Sequence, residues 1–153
     1  MSPFEPKSAA EETLRRLYVY NGGFLTQKRI RRILTLAGYD IRIGAPSDGD
    51  AIGVWGHSPT APRGEKVAEK TDAPIIRVED AFLRSVKTGR DGDAPLGLHI
   101  DTKGVHFDPS TPSDLETILL EEPLDDTALL NRAKGAMAEL QRLHLSKYNA
   151  FNP

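Results

Sequence analysis

The chain has 153 residues, of which 39% are hydrophobic and 27% charged, with a formal net charge of -2 and no cysteine. That composition belongs to one soluble globular domain with a real core, too short for two large lobes. It gives no general attraction to nucleic acid or to an anionic membrane, and it excludes disulfide frameworks and thiolate metal sites.

Residues 1–15 are polar and lack the apolar centre of a signal peptide, so they read as a flexible leader. No apolar run approaches the roughly 20 residues that a membrane-spanning helix needs, and the expected location is the cytoplasm. RLYVY (Arg16 to Tyr20) predicts a strand stopped by the tight turn Asn21-Gly22-Gly23. Thr26 then caps a helix with Ile30, Ile33, Leu34 and Ala37 at helical spacing, ending at Gly38. YDIRI and AIGVW predict the next two strands, and Ser58 or Thr60, with Pro59 and Pro62, marks a second helix start. PIIRVE predicts a fourth strand.

Strand, helix, strand, strand, helix, strand is an α/β order with a mostly parallel sheet. Beyond it, SVKTGRDGDAP reads as a loop. GLHID-TKG-VHFD predicts a β-hairpin with Gly104 in the left-handed position of its turn. Ser113 opens SDLETILLEE, and Asp125 or Asp126 caps a long helix with Leu129, Ala133, Met137, Leu140 and His144 on one face.

In open parallel sheets, ligands sit outside the carboxyl ends of the strands. Three segments fall there: Asn21-Gly22-Gly23, Trp55-Gly56-His57-Ser58, and the RVEDAFLRS stretch with Glu79, Asp80, Arg84 and Ser85. Gly22-Gly23 matches no phosphate-binding glycine motif, and a plain turn competes with a ligand role. His57 and Ser58, adjacent on an extended segment, point in opposite directions and do not make a nucleophilic pair, which leaves His57 as a hydrogen-bonding group. On the expected hairpin, His99 and His106 lie on opposite faces and share no metal. Asp48-Gly49-Asp50 and Asp91-Gly92-Asp93 read as turns, and Lys28, Arg29, Arg31 and Arg32 as a solvated basic face. Two readings of RVEDAFLRS compete. Arg84 pairs with Glu79 or Asp80 and pins the loop, or the carboxylates take a sugar hydroxyl while the guanidinium forks onto an acid.

VWGHSPTAPRG, IIRVEDAFLRSV, PLGLHIDTKGVHFDPSTPSDLE and LSKYN occur in this order between about Leu17 and Tyr148. Together they resemble the capsular polysaccharide export and biosynthesis proteins of the KpsC/LipA type. The resemblance implies a Rossmann-like lobe over 16–148, similar to the N-terminal lobe of a GT-B glycosyltransferase, with 149–153 as a tail toward a second lobe. It also implies a retaining β-Kdo transferase that uses CMP-Kdo to build a Kdo linker on a phosphatidylglycerol-type lipid, peripheral to the inner membrane. No other cofactor is expected. The family's catalytic Asp and donor motifs would lie beyond residue 153, so the chain alone is expected to be inactive, and its expected partners are a second lobe or split chain and an anionic lipid or Kdo-containing acceptor. Glu79 and Asp80 become supporting groups. Asn21, Gly22, Gly23, Trp55, Gly56, His57, Ser58, Arg84 and Ser85 become substrate-binding candidates. Ala81 stands where many relatives carry Gly, which raises the question of a strained loop. The alternative is a non-catalytic glycan-binding or scaffold domain of the export machinery.

Overall fold

Leu17 and Val19 on one side of β1 (Arg15–Val19) are buried, and Tyr18 on the other side packs partly buried against a second cluster, as expected of a strand covered on both faces. The computed structural model describes residues 14–150, so most of the expected leader and residues 151–153 of the expected tail lie outside the described residues. β1, β2 (Tyr39–Arg42), β3 (Ala51–Trp55), β4 (Ile75–Asp80) and β5 (Leu98–Asp101) form one sheet in the order β2-β1-β3-β4-β5. β1 to β4 are parallel and β5 runs antiparallel to β4. The expected α/β class with a mostly parallel sheet is what the chain adopts.

Each face has its own core. α1 (Gly22–Thr26) and α2 (Lys28–Leu36) cover one side, where Phe24, Ile30 and Leu34 meet Leu17, Val19, Ile76 and Val78. α3 (Ala61–Thr71) covers the other with small residues, Ala61, Gly64 and Ala68. A Cβ at Gly64 would stand 2.7 Å from Val54 Cγ1, so the helix packs close against β3. Lys28, Arg29, Arg31 and Arg32 are exposed on α2. Asp50 is buried, where it accepts from Arg16 Nε at 2.7 Å and from Ser47 N at 2.7 Å, which holds its turn against β1.

Several local expectations change. Thr26 does not cap the next helix; it ends α1 and donates back to the Gly22 carbonyl at 3.0 Å, and Gln27 takes the cap position without a side-chain bond. The hairpin does not form either. β5 spends its pairing on β4, and 105–108 turn away from it. The cause is Asp101. Fully buried, it accepts from the backbone N–H of Lys103 and Gly104 through Oδ1 and of Asp114 through Oδ2, at 2.8 to 2.9 Å. That closes a tight loop before a second strand can start. Gly104 is not left-handed; its missing Cβ leaves room for the Pro112 carbonyl, which would lie 3.0 Å from it.

Asp101 also seats α4 (Asp114–Glu121), whose N-terminus carries the reciprocal Ser113–Glu116 capping box. Asp126 caps α5 (Thr127–Arg142). His144 lies past that helix at φ 52°, and the bonds Leu145 N to Leu140 O and His144 N to Gln141 O close a Schellman turn. The turn sends LSKYN back to the sheet. The expected apolar face of α5 stays uncovered among the described residues, with Leu129 and Met137 exposed, as are Ile118, Leu119, Leu120 and Leu124.

Burial works against charge on Asp101, yet the N–H groups of Gly104, Lys103 and Asp114, with His99, outweigh it and hold the carboxyl below its ordinary range. Asp101→Ala is expected to cost about 3 kcal/mol in urea unfolding, because it orphans several buried N–H donors. The wild-type advantage is present above the unfolded carboxyl value and is lost as pH falls through the lower folded one; an unchanged midpoint would refute it.

Candidate functional site

The carboxyl ends of β1, β3 and β4 lie side by side, so the three segments singled out in the sequence share one edge of the sheet. The chain leaves β1 toward β2 and returns to β3 on its other side, which makes β1/β3 the switch point of the topology. There, Asn21 caps α1 through Oδ1 to Gly23 N at 2.9 Å and donates Nδ2 to Thr60 Oγ1 at 2.7 Å. Ser58 Oγ lies 3.0 Å from the same hydroxyl. Asn21, Gly22, Gly23 and Ser58 therefore form one linked rim. Trp55 turns inward, with its ring 5.8 Å from that of Phe24, as a member of the core.

At the end of β4, Glu79 and Asp80 face opposite sides of the sheet, as alternation requires. Gly56 has φ +39°, and a Cβ there would stand 1.8 Å from Glu79 Oε1, so the glycine makes room for the carboxylate. Burial raises the Glu79 pKa and Asp80 repels its charge, against lowering by the Asp80 N–H, Lys147 and His106. Glu79 is thus a carboxylate held against Gly56 at the end of β4 and made more basic than an exposed one.

Asp80 Oδ2 accepts from Arg84 Nε at 2.8 Å. Arg84 is buried; its Nη1 donates to Ser85 Oγ at 2.8 Å and to the Asp93 carbonyl at 2.9 Å, and its guanidinium lies 5.9 Å from the Tyr148 ring centroid. Ser85 Oγ in turn donates to the Lys87 carbonyl at 2.6 Å. Of the two readings of RVEDAFLRS, the loop-pinning pair is the one whose bonds are formed. Asp80 Oδ1, by contrast, is buried without a partner among the described residues. Ala81 takes an ordinary backbone angle, so the alanine there is unstrained.

The LSKYN segment completes this edge. Arg84 N and Ser85 N donate to the Lys147 carbonyl, Asn149 N donates to the Val86 carbonyl, and Ser85 and Tyr148 form a parallel bridge. Between these pieces lies a groove of about 380 Å³ lined by Asp80, Phe82, Leu98, His99, His106 and Lys147. A neighbouring one of about 530 Å³ runs past Arg84, Thr88 and Arg90.

The histidines come together where the sequence separated them. Without the hairpin, His99 and His106 meet edge to face at 5.2 Å. His106 touches Phe107, Phe107 touches His57, and His57 Nε2 lies 2.9 Å from Asp108 Oδ2. Hydrogen bonds from Ser110, with help from His57, hold Asp108 below its ordinary pKa. Sequence reasoning missed His99, His106, Lys147 and Phe82 as groove residues. The LSKYN motif carried a signal for Lys147, but its partner strand lay far upstream.

Arg84→Ala is expected to cost about 3 kcal/mol or more by urea unfolding, because it strands the Asp80 carboxylate. A stability equal to wild type would return Arg84 to ligand binding. Glu79→Gln is expected to stabilise the chain at neutral pH, where wild type carries a disfavoured buried charge. That gain closes as pH falls through the raised folded pKa toward the unfolded value, which a series of melts against pH reads directly.

Residues 50–153 match the family of capsule polysaccharide biosynthesis proteins. The chain is 47% identical over 83 residues to the lipopolysaccharide-processing protein LpsZ of Rhizobium meliloti, covering 54% of this chain and 19% of that protein. It is 31% identical over 138 residues to the capsule polysaccharide modification protein LipA of Neisseria meningitidis serogroup A, covering 88% of this chain and 20% of LipA. Among solved structures it resembles the β-Kdo 2,4 transferase of Thermosulfurimonas dismutans KpsC, with TM-score 0.79 and 25% identity over 92% of this chain and 43% of that one. The β-Kdo 2,7 transferase of the same protein shares the fold at TM-score 0.57 and 21% identity, over 84% of this chain and 42% of that one. The chain thus spans about a fifth of the curated relatives it matches and less than half of the solved transferases.

Proposed function

The chain belongs to the family of capsule polysaccharide biosynthesis proteins, and from that membership we propose that it is the acceptor-side lobe of a β-Kdo transferase, in the GT-B arrangement. The observation that carries the reading is Glu79, a desolvated carboxylate with a raised pKa at the carboxyl end of β4, next in sequence to Asp80, which lines the groove. The similarity to the β-Kdo 2,4 transferase lobe supports it.

In this reading a Kdo unit arrives from CMP-Kdo on a second lobe, which also carries the nucleophile. CMP leaves as the nucleophile bonds the Kdo anomeric carbon; the acceptor hydroxyl binds at the β4 edge, and Glu79 takes its proton as the new glycosidic C–O bond forms and the bond to the nucleophile breaks. Asp80, which lines the groove, flanks that hydroxyl. Arg84 and Ser85 position that carboxylate rather than touch substrate. His57 with the Asn21–Thr60–Ser58 rim flanks the approach of the donor. The acceptor is a Kdo-terminated glycan on an anionic, phosphatidylglycerol-type lipid at the cytoplasmic side of the inner membrane. No helix among the described residues is long and apolar enough to cross a membrane, so contact with the lipid surface would be peripheral. The exposed apolar side chains Ile118, Leu119, Leu120, Leu124, Leu129 and Met137 of α4, α5 and their link fit burial by the second lobe, in this chain's parent or as a partner.

The test is Kdo transfer from CMP-Kdo by the chain with and without a candidate second half. No turnover alone and turnover with both are expected, with Glu79→Gln slowing the paired enzyme by about 10²- to 10⁴-fold. Full activity of Glu79→Gln would remove the base from β4. Kdo-glycan binding with no turnover in any pairing would point instead to a scaffold domain.

A further inference from the structure

The charge of this chain is segregated along its sequence. Between Glu12 and Asp40 there is no acid, while Arg15, Arg16, Lys28, Arg29, Arg31 and Arg32 fall in that interval. Between Lys103 and Arg132 there is no Lys or Arg, while seven carboxylates run from Asp108 to Asp126. The fold keeps the two stretches apart. α2 packs beside β2 at one edge of the sheet, and α4 is tied to the end of β5 at the other, through Asp114 N to Asp101 and Thr102 N to the Asp114 carboxylate. Across the five strands, spacings of about 4.8 Å put the two edges roughly 19 Å apart, more than twice the screening length of about 8 Å at physiological salt. The acidic pole therefore does not cancel the basic one, and a net charge of -2 conceals a cationic edge.

On α2 the buried Ile30 and Leu34 fix which face points outward. Lys28, Arg32 and Leu36, spaced four apart, form one exposed line flanked by Arg29 and Arg31. Nothing within the helix favours this arrangement. Lys28 repels Arg31 and Arg32 three and four residues on, Lys28 and Arg29 sit at the positive end of the helix dipole, and the first turn has no acid. Among the described residues none of the four cations forms an ion pair, and only Arg29 has a side-chain hydrogen bond, to the Ala94 carbonyl at 3.4 Å. α3, by contrast, interleaves Arg63, Lys66 and Lys70 with Glu65 and Glu69. We propose that the outward face of α2 docks the chain on an anionic lipid surface, with Lys28, Arg29, Arg31 and Arg32 set against the headgroups. A planar bilayer meets this one edge and leaves the acidic pole in water. The face also carries an exposed leucine, Leu36, and no aromatic ring on which a base could stack, which favours lipid over single-stranded nucleic acid.

The test co-sediments the chain with vesicles of phosphatidylcholine alone and of phosphatidylcholine and phosphatidylglycerol in a two-to-one mixture, with polyuridylate as a soluble polyanion for competition. Binding to the mixed vesicles, its loss in high salt and none to phosphatidylcholine are expected. Arg31→Gln with Arg32→Gln is expected to lower partition about 25-fold, about fivefold for each cation removed, and Arg31→Lys with Arg32→Lys to keep it. Lys66→Gln with Lys70→Gln changes the net charge equally on the α3 face and is expected to leave partition unchanged. All four side chains are exposed and glutamine and lysine are good helix formers, so folding is expected to survive, which an unchanged thermal midpoint checks. Equal losses from the α2 and α3 glutamine pairs would reduce the effect to net charge and overturn the docking face. Wild-type partition of the α2 pair, or equal or no binding to the two kinds of vesicle, would overturn it as well. Polyuridylate that binds more tightly than the mixed vesicles and displaces them would assign the face to nucleic acid instead. The vesicles hold no sugar, so each of these outcomes leaves the Kdo-transfer reading to its own assay.

Discussion

The buried Arg84 guanidinium is the constraint on which this edge of the molecule depends. Its side chain bonds the end of β4 through Asp80 and the 85–93 loop through Ser85 and the Asp93 carbonyl, while its own N–H holds the returning 147–149 segment. A guanidinium suits the task because its fixed fork serves several acceptors at once, whereas an ammonium is a point charge. Two neighbouring stretches and a third remote in sequence thus meet at one residue. The groove is the space they leave between them.

A second constraint works in parallel on the other side of the sheet. Asp101 spends its carboxylate on backbone N–H groups, which ends β5, turns 102–104 and seats the first turn of α4. That turn is also why His106 folds back onto His99. One acid therefore shapes both the local chain path and the donor wall of the groove, and its burial is tolerable because each of its oxygens is hydrogen-bonded.

These two devices explain how a short chain holds polar and charged groups close together without collapse. Three carboxylates of β4 and β5 differ in environment. Asp80 is half engaged with a cation, Glu79 is desolvated above a glycine, and Asp101 is saturated with N–H donors. Environment, rather than residue type, separates the positioning acids from the one left basic enough to move a proton.

Local chemistry was enough to read the α/β order, the parallel strands, the Ser113 cap, a cap at Asp125 or Asp126 and the strand-end placement of Glu79 and Asp80, because apolar period and capping act over a few residues. The quoted motifs also carried the family. What only the tertiary structure decided was which long-range bonds form. Tyr20 to Arg32 gave no sign that Gln27 rather than Thr26 would start α2, and GLHIDTKGVHFD carried a sound hairpin pattern that the Asp101 side chain overrode by capturing backbone N–H groups. The same holds for Arg84, whose role depended on the Asp93 carbonyl and on Lys147 and Tyr148. Partners so far apart in sequence become neighbours only when the sheet is assembled, and no periodicity records them.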